Sequence, residues 1–562
     1  DKRGKMDIVF VSYNSERWIE NCFTSIRKSE FDLKTVSIYV VDNGSKDHSL
    51  EKLKQEKEKC GDCLRNFEII ESNKNLGFGG ANNIGAQKGS DDIICFLNMD
   101  TEIYPNTLSE LDDDIKQSSP DFALWELRQF PYEHPKMYDS LTHETSWSSG
   151  AAFAIRRKIF EKVNGFDSAI FMYAEDVDLS WRVRSFGYRL KYVPKAVIKH
   201  YSYQEAGEVK PNQYINSIVN NILLRYRFAG LRTIIKGYKL FAMCIIGAEA
   251  FNGSRKLLLK QWIKHFRLIP HFIDRKQCGN QRREVAKFIG FDYEAIRDGA
   301  FYLNEFPEKK PLVSIIVRTC GRPSVLRETL ISLRNQTYPN LEIVVVEDGQ
   351  AISKDMIKKE FSDLNILYEA TGEKVGRSKA GNIAMELAHG SYLNFLDDDD
   401  LFYADHVEVL VATLIKSKNK AAYAFSFETP IEIISRDPYQ YKIHDYLGIH
   451  KKKFDKIELC YHNYIPIQCI MFEKKLFENY GGLDETLDAL EDWDLWVRYS
   501  LHTDFDCIEK TTSIYRVPYN KEINLKRQKN LDEALHVVRE KHKTYMQQIS
   551  VYDIAKMFAK QY

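Results

Sequence analysis

Two pairs of acidic motifs in this chain could bind cations or accept protons. The first pair is Asp100 in FLNMD and the EDVD motif of residues 175–178, and the second is Asp397 and Asp399 in FLDDDD and the EDWD motif of residues 491–494. Carboxylate oxygens are the ligands that hard divalent cations prefer, and a positioned carboxylate can act as a general base. Because the motifs occur in the same order twice, they predict two copies of one catalytic scaffold.

Strand-like segments repeat together with the acidic motifs. DIVFVSYN at residues 7–14 corresponds to SIIVRTCG at 314–321, and VVDNGS corresponds to VVEDGQ. Each unit begins with an apolar run, a helical stretch and a second apolar run, which is typical of a parallel α/β sheet covered on both faces. Ligands of such sheets bind outside the carboxyl ends of the strands. We therefore expect one crevice per unit, lined by Asn14, Asp42, Asn43 and Asp100 in the first and by Gly321, Glu347, Asp348, Asp397 and Asp399 in the second.

The length of 562 residues also favours more than one domain. Hydrophobic residues make up 44% and charged residues 28%, as in an ordinary soluble globular protein. The fold class that we predict is α/β, with two Rossmann-like, mostly parallel-sheet domains joined by a basic helical segment. The predicted boundaries are a first domain at 1–203, a helical linker at 204–310, a second domain at 311–530 and a helical tail at 531–562.

Residues 222–287 carry fifteen Lys and Arg against three acids, although the whole chain is balanced at 80 of each sign. Apolar residues lie among the basic ones at nearly helical spacing: Leu257, Leu258, Trp262, Phe266 and Ile269. This pattern predicts amphipathic helices that lie on an anionic membrane surface. A basic linker helix that packs against both domains is the alternative. Nucleic acid is not a predicted partner, since no groove-reading motif accompanies the charge.

Ten cysteines form no disulfide framework, and the pair Cys60 and Cys63 lacks a second such pair for a metal site. Reduced cysteines are typical of the cytoplasm. The first residues run directly into a strand and show no secretory signal, and no apolar stretch is long enough to span a bilayer. The expected location is therefore cytoplasmic, peripheral to the inner face of the membrane.

Taken together, the motifs resemble glycosyltransferase family 2, the inverting sugar-nucleotide transferases of the GT-A fold. The first unit carries VSYN, VDNGSKD, NKNLGFGGANNIGA, FLNMDT and FMYAEDVDLSWR and is similar to the rhamnosyl- and galactofuranosyltransferase branch. The second carries SIIVRTCGRP, VVEDG, GRSKAGNIAMELAHG, FLDDDD and EDWDLWVR and is similar to the general branch. The resemblance implies a bacterial-type bifunctional enzyme with two GT-A domains that build a poly- or oligosaccharide.

The resemblance also implies the substrates and the cofactor. Each domain takes an activated sugar, a UDP- or dTDP-sugar, and the branch of the first unit suggests dTDP-rhamnose or UDP-galactofuranose. A divalent cation, Mn²⁺ or Mg²⁺, neutralises the leaving nucleotide diphosphate. The acceptor is a glycan or a lipid-linked oligosaccharide.

The catalytic residues follow from the same resemblance. Asp176 and Asp492 match the general base of the family, and Glu175 and Glu491 beside them orient the acceptor or the base. Both aspartates also begin predicted helices, where an acid is favoured by the helix dipole. A capping role alone is therefore the alternative for these two residues.

The family's D-x-D metal element is matched by Asp397 and Asp399 in the second unit. Asn98 replaces its first aspartate in the first unit, so Asp100 is the charged metal ligand there. His200, at the end of VIKH, matches a further metal ligand of the family. A capping aspartate before Thr101 is the alternative for Asp100, and a packed or surface histidine is the alternative for His200. SIYRVPYN in the second unit offers no corresponding histidine.

The resemblance assigns a further set of residues to the nucleotide-sugar pocket. Carboxylates suit this pocket because they accept hydrogen bonds from base N–H groups and ribose hydroxyls. The residues are Asn14, Asp42, Asn43, Asn98, Thr319, Glu347, Asp348, Arg377 and Asp397.

Two other interpretations remain open at this stage. One unit could be active and the other a degenerate carbohydrate-binding or scaffold module, since the first lacks an aspartate of D-x-D and the second lacks the histidine. A sugar nucleotidyltransferase would share the acidic metal site. It would need a glycine-rich, basic phosphate loop near its start, which neither unit has.

Overall fold

The computed structural model describes residues 4–133, 137–201, 210–274 and 276–546. The chain divides into two compact units, Asp1–Asn304 and Glu305–Tyr562. Each unit contains one mixed β-sheet with helices, which confirms the predicted α/β class with two Rossmann-like domains. The predicted boundary between residues 203 and 204 lies outside the described residues.

The first sheet has the strand order β3-β2-β1-β4-β8-β6-β9-β5, and β7 pairs with β9. Its strands are β1 Met6–Ser12, β2 Val36–Asp42, β3 Asn66–Glu71, β4 Ile93–Asn98, β5 Thr101–Ile103, β6 Phe122–Phe130, β7 Glu144–Thr145, β8 Ala152–Arg156 and β9 Arg189–His200. The α-helices of this unit are α1 Ile19–Arg27, α2 Ser49–Cys60, α3 Gly77–Lys88, α4 Thr107–Gln117, α5 Arg157–Lys162, α6 Glu175–Ser185, α7 Pro211–Phe228, α8 Leu231–Ile246, α9 Ser254–Ile273 and α10 Arg282–Val285.

The second sheet repeats this topology, with the order β12-β11-β10-β13-β18-β15-β19-β14 and with β16 and β17 paired to β15. Its strands are β10 Val313–Thr319, β11 Leu341–Glu347, β12 Ile366–Ala370, β13 Tyr392–Phe395, β14 Leu401–Phe402, β15 Ala421–Arg436, β16 Tyr439–Ile443, β17 Leu447–His450, β18 Ile470–Glu473 and β19 Phe505–Pro518. Its α-helices are α11 Pro323–Arg334, α12 Lys354–Glu360, α13 Arg377–Leu387, α14 His406–Leu414, α15 Lys456–Tyr461, α16 Lys474–Tyr480, α17 Glu491–Ser500 and α18 Lys521–Met546.

The first strands are apolar at nearly every position because both faces of the sheet are covered. Along β1, Ile8 and Phe10 pack into one core cluster and Val9 packs into another. The four strands β3, β2, β1 and β4 are parallel, and the ladder becomes antiparallel from β4 to β8. A parallel sheet buried on both faces requires this continuous apolar pattern.

The helices between residues 210 and 304 belong to the first unit. Leu224 and Phe228 of α7 pack with Trp181 of α6 and Phe272 of α9 in one apolar cluster. The predicted linker is therefore, in its described part, a helical layer on the first domain. Arg275, one of the basic residues counted there, lies outside the described residues.

The structure corrects the predicted apolar face of α9. Leu258 is buried against α7 and α8, and Trp262 packs beside it, because these two residues face the helical layer. The outward face carries an apolar stripe formed by Leu259, Ile263, Phe266 and Ile273, of which Phe266 alone belongs to the predicted set. Leu257 and Phe266 of the predicted set are exposed.

No described helix combines the length and the apolar character needed to cross a lipid bilayer. The predicted C-terminal tail at 531–562 begins inside α18, which starts earlier at Lys521. Residues 547–562 lie outside the described part of the chain.

Candidate active site

The polar ends of the parallel strands meet at one edge of each sheet. In the first unit, Ser12 at the end of β1 pairs with Asp42 at the end of β2, and β4, which ends at Asn98, pairs in register on the other side of β1. In the second unit, Thr319 at the end of β10 pairs with Glu347 at the end of β11. Parallel strands have their carboxyl ends on one side, so the residues that follow them line one crevice per unit.

Asp42 and Asn43 of the first unit have different surroundings. Asn43 fixes the loop before α3, because its Oδ1 accepts from the Leu76 amide at 2.8 Å and its Nδ2 donates to Asn75 Oδ1 at 3.0 Å. Asp42 Oδ2 accepts from the Ser45 amide at 3.3 Å, whereas its buried Oδ1 has no hydrogen-bond partner among the described residues. Asp42 therefore keeps one oxygen for a ligand, and Asn43 is engaged by the loop.

Asn14 lies just beyond the end of β1, and Thr319 is the last residue of β10. Each forms hydrogen bonds with a neighbouring turn. The Asn14 Oδ1 accepts from the Lys46 amide at 2.9 Å, and the Asn14 amide donates to Ser45 Oγ at 3.0 Å. Asn14 adopts a left-handed backbone with φ of 50°. The Thr319 hydroxyl donates to Asp398 Oδ2 at 2.7 Å. Both residues shape the crevice edge through contacts within the protein.

Glu347 is buried, and both oxygens of its carboxylate accept hydrogen bonds from protein groups. The amide and the hydroxyl of Ser353 bond to it at 2.9 and 3.0 Å, and the Tyr368 hydroxyl donates to the same group. Asp348 accepts from the Val375 amide at 2.6 Å and from the Gly376 amide at 3.2 Å. Asp348 thus holds the loop before α13, just as Asn43 holds the loop before α3.

The glycine-rich segment before and within α3 packs closely against the loop that leads to α6. Gly77 has a left-handed φ of +76°, and a Cβ there would lie 2.5 Å from the carbonyl oxygen of Phe171. The side chain of Asn83 bonds to both the amide and the carbonyl of Phe166, at 2.9 and 2.8 Å. Asn382 makes the same pair of bonds with Leu483 in the second unit, at 2.8 and 2.9 Å. These contacts tie the two sides of each crevice together.

Asp100 faces His200 in the first unit. The His200 Nε2 lies 3.5 Å from Asp100 Oδ1, and the His200 Nδ1 lies 2.7 Å from Gln129 Oε1. Burial raises the pKa of Asp100, but the hydrogen bond and charge of His200 outweigh it, so the pKa is lowered overall. The Gln129 contact orients the imidazole so that its Nε2 points toward the carboxylate.

This arrangement fits a divalent cation that is shared with a phosphate-bearing ligand. Among the described residues, no group of three or more His, Cys, Asp and Glu side chains is arranged to hold a metal ion. Asp100 and His200 could supply two ligands on one side, since Mg²⁺ commonly takes one or two carboxylates and completes its shell with phosphate oxygens and water. The backbone N–H of Asn98, at the end of β4, donates to the Ala151 carbonyl at 2.9 Å.

The corresponding cluster in the second unit is occupied by arginines. Asp397 is bonded by Arg318 through two parallel contacts of 2.7 and 2.8 Å. Asp398 is bonded by Arg322, whose Nη1 also lies 3.3 Å from Asp399 Oδ2. The carboxylates that the sequence assigns to a metal are therefore paired with guanidinium groups. A divalent cation at Asp397 and Asp399 would lie beside these guanidinium groups, and the repulsion between like charges makes this set a poor fit for it.

Helix α6 begins at Glu175, directly after a residue in a left-handed conformation, Ala174 with φ of 70°. Asp176 Oδ2 accepts from the Gly150 amide at 2.8 Å and its Oδ1 from the Val177 amide at 2.8 Å. Glu175 is buried, and one of its oxygens has no partner among the described residues. Burial and the charge of Asp176 raise the pKa of Glu175 well above its usual value.

Helix α17 begins in the same way, with Leu490 left-handed at φ of 60°. Asp492 Oδ1 accepts from the Trp493 amide at 2.8 Å, and its Oδ2 lies 3.2 Å from Asn463 Nδ2. Burial, together with the charge of Glu491, raises the pKa of Asp492 to about 7. A carboxylate with this pKa can take up a proton at neutral pH.

In both units the acidic motif at the end of a strand lies close to the EDxD motif at the start of a helix. In the second, Arg318 bonds Asp397 and also donates to Glu491 Oε1 at 2.9 Å. In the first, the segment at Gly150 and Ala151 connects Asp176 with the end of β4 through backbone hydrogen bonds. The predicted donor side and the predicted base therefore share one crevice in each unit. Arg377, the first residue of α13, is exposed and reaches within 3.9 Å of Glu491.

The third acid of each EDxD motif is a buried anchor that the sequence analysis did not identify. Asp178 accepts from Arg182 Nε at 2.7 Å and from Arg227 Nη1 of α7 at 2.5 Å. Arg227 also bonds Asp167 at 2.6 Å, and His271 of α9 lies 2.7 Å from the same carboxylate. Burial raises the pKa of Asp167, but the charge of Arg227 outweighs it and lowers that pKa to about 2.

A different helix supplies the equivalent anchor in the second unit. Asp494 accepts from Arg498 at 2.9 Å and from Lys541 of α18 at 2.8 Å, and His542 lies 3.4 Å away. Burial raises the pKa of Asp494, but bonds from His542 and Lys541 lower it below its usual value overall. The repeated third acid, with a basic residue four positions later in both copies, is the signal that could have revealed these anchors.

Comparison with known proteins places both units in one family. The sequence profile of Glycosyl transferase family 2 matches residues 7–179 and 314–481, together more than half of the chain. An uncharacterized glycosyltransferase of Rickettsia prowazekii is 29% identical over 206 residues, which are 36% of this chain and 64% of the relative. Glycosyltransferase GlyA of Streptococcus pneumoniae is 31% identical over 174 residues, 30% of this chain and 25% of the relative. The chain thus covers less than two thirds of these curated relatives.

Solved structures give a weaker likeness. TarS 1-349 of S. aureus in complex with UDP is 17% identical with a TM-score of 0.34, over 48% of this chain and 81% of that chain. The mannosyltransferase PcManGT from Pyrobaculum calidifontis, in complex with GDP-Man and Mn²⁺, is 16% identical with a TM-score of 0.32, over 48% and 72%. On the two profile matches and the twice-repeated fold, the chain belongs to glycosyltransferase family 2 and contains two units of that family.

Proposed function

We propose that the protein is a bifunctional inverting glycosyltransferase whose two units each move a sugar from a nucleotide-sugar to a growing poly- or oligosaccharide. The observation that carries the proposal is the repeated crevice. In both units a carboxylate at the start of a helix, Asp176 or Asp492, lies beside the carboxyl ends of parallel strands that carry further acids. The donors are UDP- or dTDP-sugars, and the acceptor is a glycan or a lipid-linked oligosaccharide.

Asp176 and Asp492 act as general bases in this proposal. The attacking hydroxyl must lose its proton as the new glycosidic bond forms, so the base must lie within hydrogen-bond reach of it. Each aspartate has one oxygen fixed by the next backbone amide, Val177 or Trp493, at 2.8 Å. This bond fixes the direction of the carboxylate, and direct displacement from the opposite side of the sugar inverts the anomeric centre.

The first crevice contains the groups for a metal-dependent reaction. Asp42 retains a buried oxygen that suits a donor's base or ribose. Asp100 and His200 would hold Mn²⁺ or Mg²⁺, which when bound neutralises the charge that develops on the leaving diphosphate. Burial and the charge of Asp176 raise the pKa of Glu175, which favours its neutral form, and that form can donate a hydrogen bond to the acceptor.

A single active unit with a binding module is the second candidate. It is supported by the arginines that occupy the acidic cluster at Asp397 and Asp399. The base motif of the second unit is nevertheless complete, with Asp492 and Glu491 placed as in the first unit. We therefore favour two active units.

We further propose that the protein acts at the cytoplasmic face of a membrane through α8 and α9. Their outward surfaces carry apolar side chains such as Ile246 and Ile263, which are 81% and 63% exposed. The exposed basic residues around them are Arg232, Lys236, Lys239, Arg255, Lys256, Lys260, Lys264 and Arg267. Apolar stripes flanked by basic residues bind the interface of anionic bilayers.

Separate inactivation of the two bases tests the bifunctional proposal. We expect Asp176→Asn and Asp492→Asn each to abolish turnover of a different donor, because an amide cannot accept the hydroxyl proton. The measurement is release of nucleoside diphosphate from a panel of sugar nucleotides, with a glycan or lipid-linked acceptor present. Glu478→Gln, at an exposed acid of α16, serves as the control. If one substitution removes all turnover and the other has no effect, the unit whose substitution has no effect is a binding module.

The activity of the second unit should rise with pH through about 7. Burial and the charge of Glu491 raise the pKa of Asp492 to about 7, so about nine tenths of the bases are protonated and inactive one pH unit below that value. The profile of kcat/KM, measured in the Asp176→Asn background, should fall on the acid side. Glu491→Gln should move the midpoint to lower pH. A flat profile between pH 5.5 and 8.5 contradicts the assignment of Asp492 as the base.

Vesicle binding tests the membrane proposal. The full chain should float with vesicles that contain anionic lipid, bind neutral vesicles less, and dissociate as salt is raised. Ile263→Glu with Phe266→Glu should abolish flotation, because charges would enter the apolar stripe. Ile434→Glu, at an equally exposed position of the second unit, should leave flotation unchanged. The proposal is overturned if the double variant floats as well as the wild-type protein does. It is also overturned if the wild-type protein does not float with anionic vesicles.

A further inference from the structure

The acidic cluster of the second crevice is closed by a buried arginine. Arg318 donates from Nε and Nη2 to the two oxygens of Asp397 at 2.7 and 2.8 Å, and from Nη1 to Glu491 at 2.9 Å. Its side chain is only 7% exposed, so the guanidinium is fixed on both sides. Bidentate pairs of this kind are among the strongest charge-assisted contacts in proteins. Each oxygen of Asp397 therefore already accepts a hydrogen bond from a guanidinium group.

The other carboxylates of the cluster are engaged in turn. Asp398 receives the Thr319 hydroxyl at 2.7 Å and Arg322 Nε at 3.1 Å. Asp400 Oδ1 accepts from the Arg516 amide at 2.9 Å. Asp399 is the most open of them, yet its Oδ2 lies 3.3 Å from Arg322 Nη1. A divalent cation bound here would lie next to a guanidinium, and like charges repel strongly when partly buried.

The first crevice lacks both of these arginines. In the paired sequences DIVFVSYNS and SIIVRTCGR, Val11 stands where the second unit has Arg318, and Ser15 stands where it has Arg322. Asp100 accordingly faces an imidazole rather than a guanidinium. The two crevices share a fold but differ in the source of positive charge.

The strand position that carries His200 in the first unit carries a tyrosine in the second. His200 pairs with Thr101 across the β5–β9 ladder. In the corresponding ladder of the second unit, Ile514 of β19 pairs with Leu401 of β14. The residue after Ile514, Tyr515, therefore occupies the position that matches His200. The Tyr515 hydroxyl accepts a hydrogen bond from Arg527, so this position offers a phenol in place of the imidazole.

Two arginines remain open to solvent beside the cluster. Arg322 is 48% exposed and Arg377 is 60% exposed. Arg377 lies 3.9 Å from the Glu491 oxygen that Arg318 also contacts. Arg322, in contrast, lies beside Asp398 and Asp399. The charges of both Arg377 and Arg322 act on Asp397. A planar guanidinium offers paired N–H donors that match phosphate oxygens, which makes arginine suited to binding a diphosphate.

We propose that the second crevice binds a nucleoside diphosphate through Arg322 and Arg377 without a divalent cation, and that the chain consequently holds one such cation, at Asp100 and His200. The inference rests on the proposed function, since the diphosphate is that of the nucleotide-sugar donor. The positive charge that a cation supplies in the first crevice comes from guanidinium groups in the second.

Counting bound Mn²⁺ on the full chain tests the cation part. With saturating UDP, we expect one Mn²⁺ per chain by electron paramagnetic resonance, none in Asp100→Asn, and one in Asp399→Asn. Asp399 is exposed, so the last substitution leaves the buried Arg318–Asp397 pair in place. Two Mn²⁺ per chain, with one lost in Asp399→Asn, overturns the inference, and so does a count of zero in the wild type.

Calorimetric titration of UDP tests the diphosphate part. We expect two UDP sites with Mn²⁺, and we expect EDTA to weaken one of them while leaving the other unchanged. Arg377→Gln should weaken the EDTA-resistant site about tenfold or more, as expected for loss of a charged hydrogen-bond donor. Arg334→Gln, at the far end of α11, is the control and should change neither site.

The outcomes separate the inference from the proposed function. Loss of both UDP sites in EDTA, or an unaltered EDTA-resistant site in Arg377→Gln, overturns the inference while leaving nucleotide-sugar chemistry in both units intact. Absence of UDP binding with and without Mn²⁺ contradicts the proposed function, and the diphosphate part falls with it.

Discussion

The buried carboxylate at the third acidic position of each EDxD motif is the constraint on which the crevices depend. Asp178 and Asp494 are fully buried, and a buried charge is tolerated only when it is paired and hydrogen-bonded. The helix that carries each acid supplies one partner, at Arg182 and at Arg498. The second partner must come from another element, and in each unit a helix that follows the family domain supplies it.

This requirement explains why the extra helices are parts of the domains. Helix α7 brings Arg227 to Asp178, and its Asn220 also donates to the carbonyls of Met172 and Tyr173 ahead of α6. Helix α18 brings Lys541 to Asp494 in the other unit. The two helices come from different segments of the chain, yet they fix the same point. Each holds a helix start whose preceding residue has a left-handed backbone, a conformation that costs about 1–3 kcal/mol and persists only when its surroundings enforce it.

The strand ends and helix starts could be predicted from the sequence because they follow from local rules. Continuous apolar runs such as IVFVSY specify buried parallel strands, and the order of the acidic motifs identifies the family and the crevice. The third acids were missed because their importance lies in Arg227 and Lys541, which are distant in sequence and look like ordinary members of basic helices. Arg227 is one of the fifteen basic residues whose pattern predicts membrane-surface helices, whereas it is buried between two carboxylates.

Long-range pairing also limited what could be predicted for the site. Asn43 and Asp348 match the nucleotide pocket of the family by position, but the structure shows them engaged with the loops before α3 and α13. Arg318 lies inside an apolar strand, and nothing in SIIVRTCG reveals that it bonds Asp397 and Glu491. Likewise, helical periodicity located an apolar face on α9, but only the packing of Leu258 decided which face points inward.

Hydrogen–deuterium exchange of α6 and α17 tests the central claim that Arg227 and Lys541 hold the two base-bearing helices. Removing one partner of a buried ion pair costs about 3–5 kcal/mol. We therefore predict that Arg227→Ala lowers the protection of α6 amides and leaves α17 unchanged, that Lys541→Ala does the reverse, and that Arg227→Lys restores much of the protection in α6. Unchanged protection of α6 in Arg227→Ala and of α17 in Lys541→Ala would contradict the account.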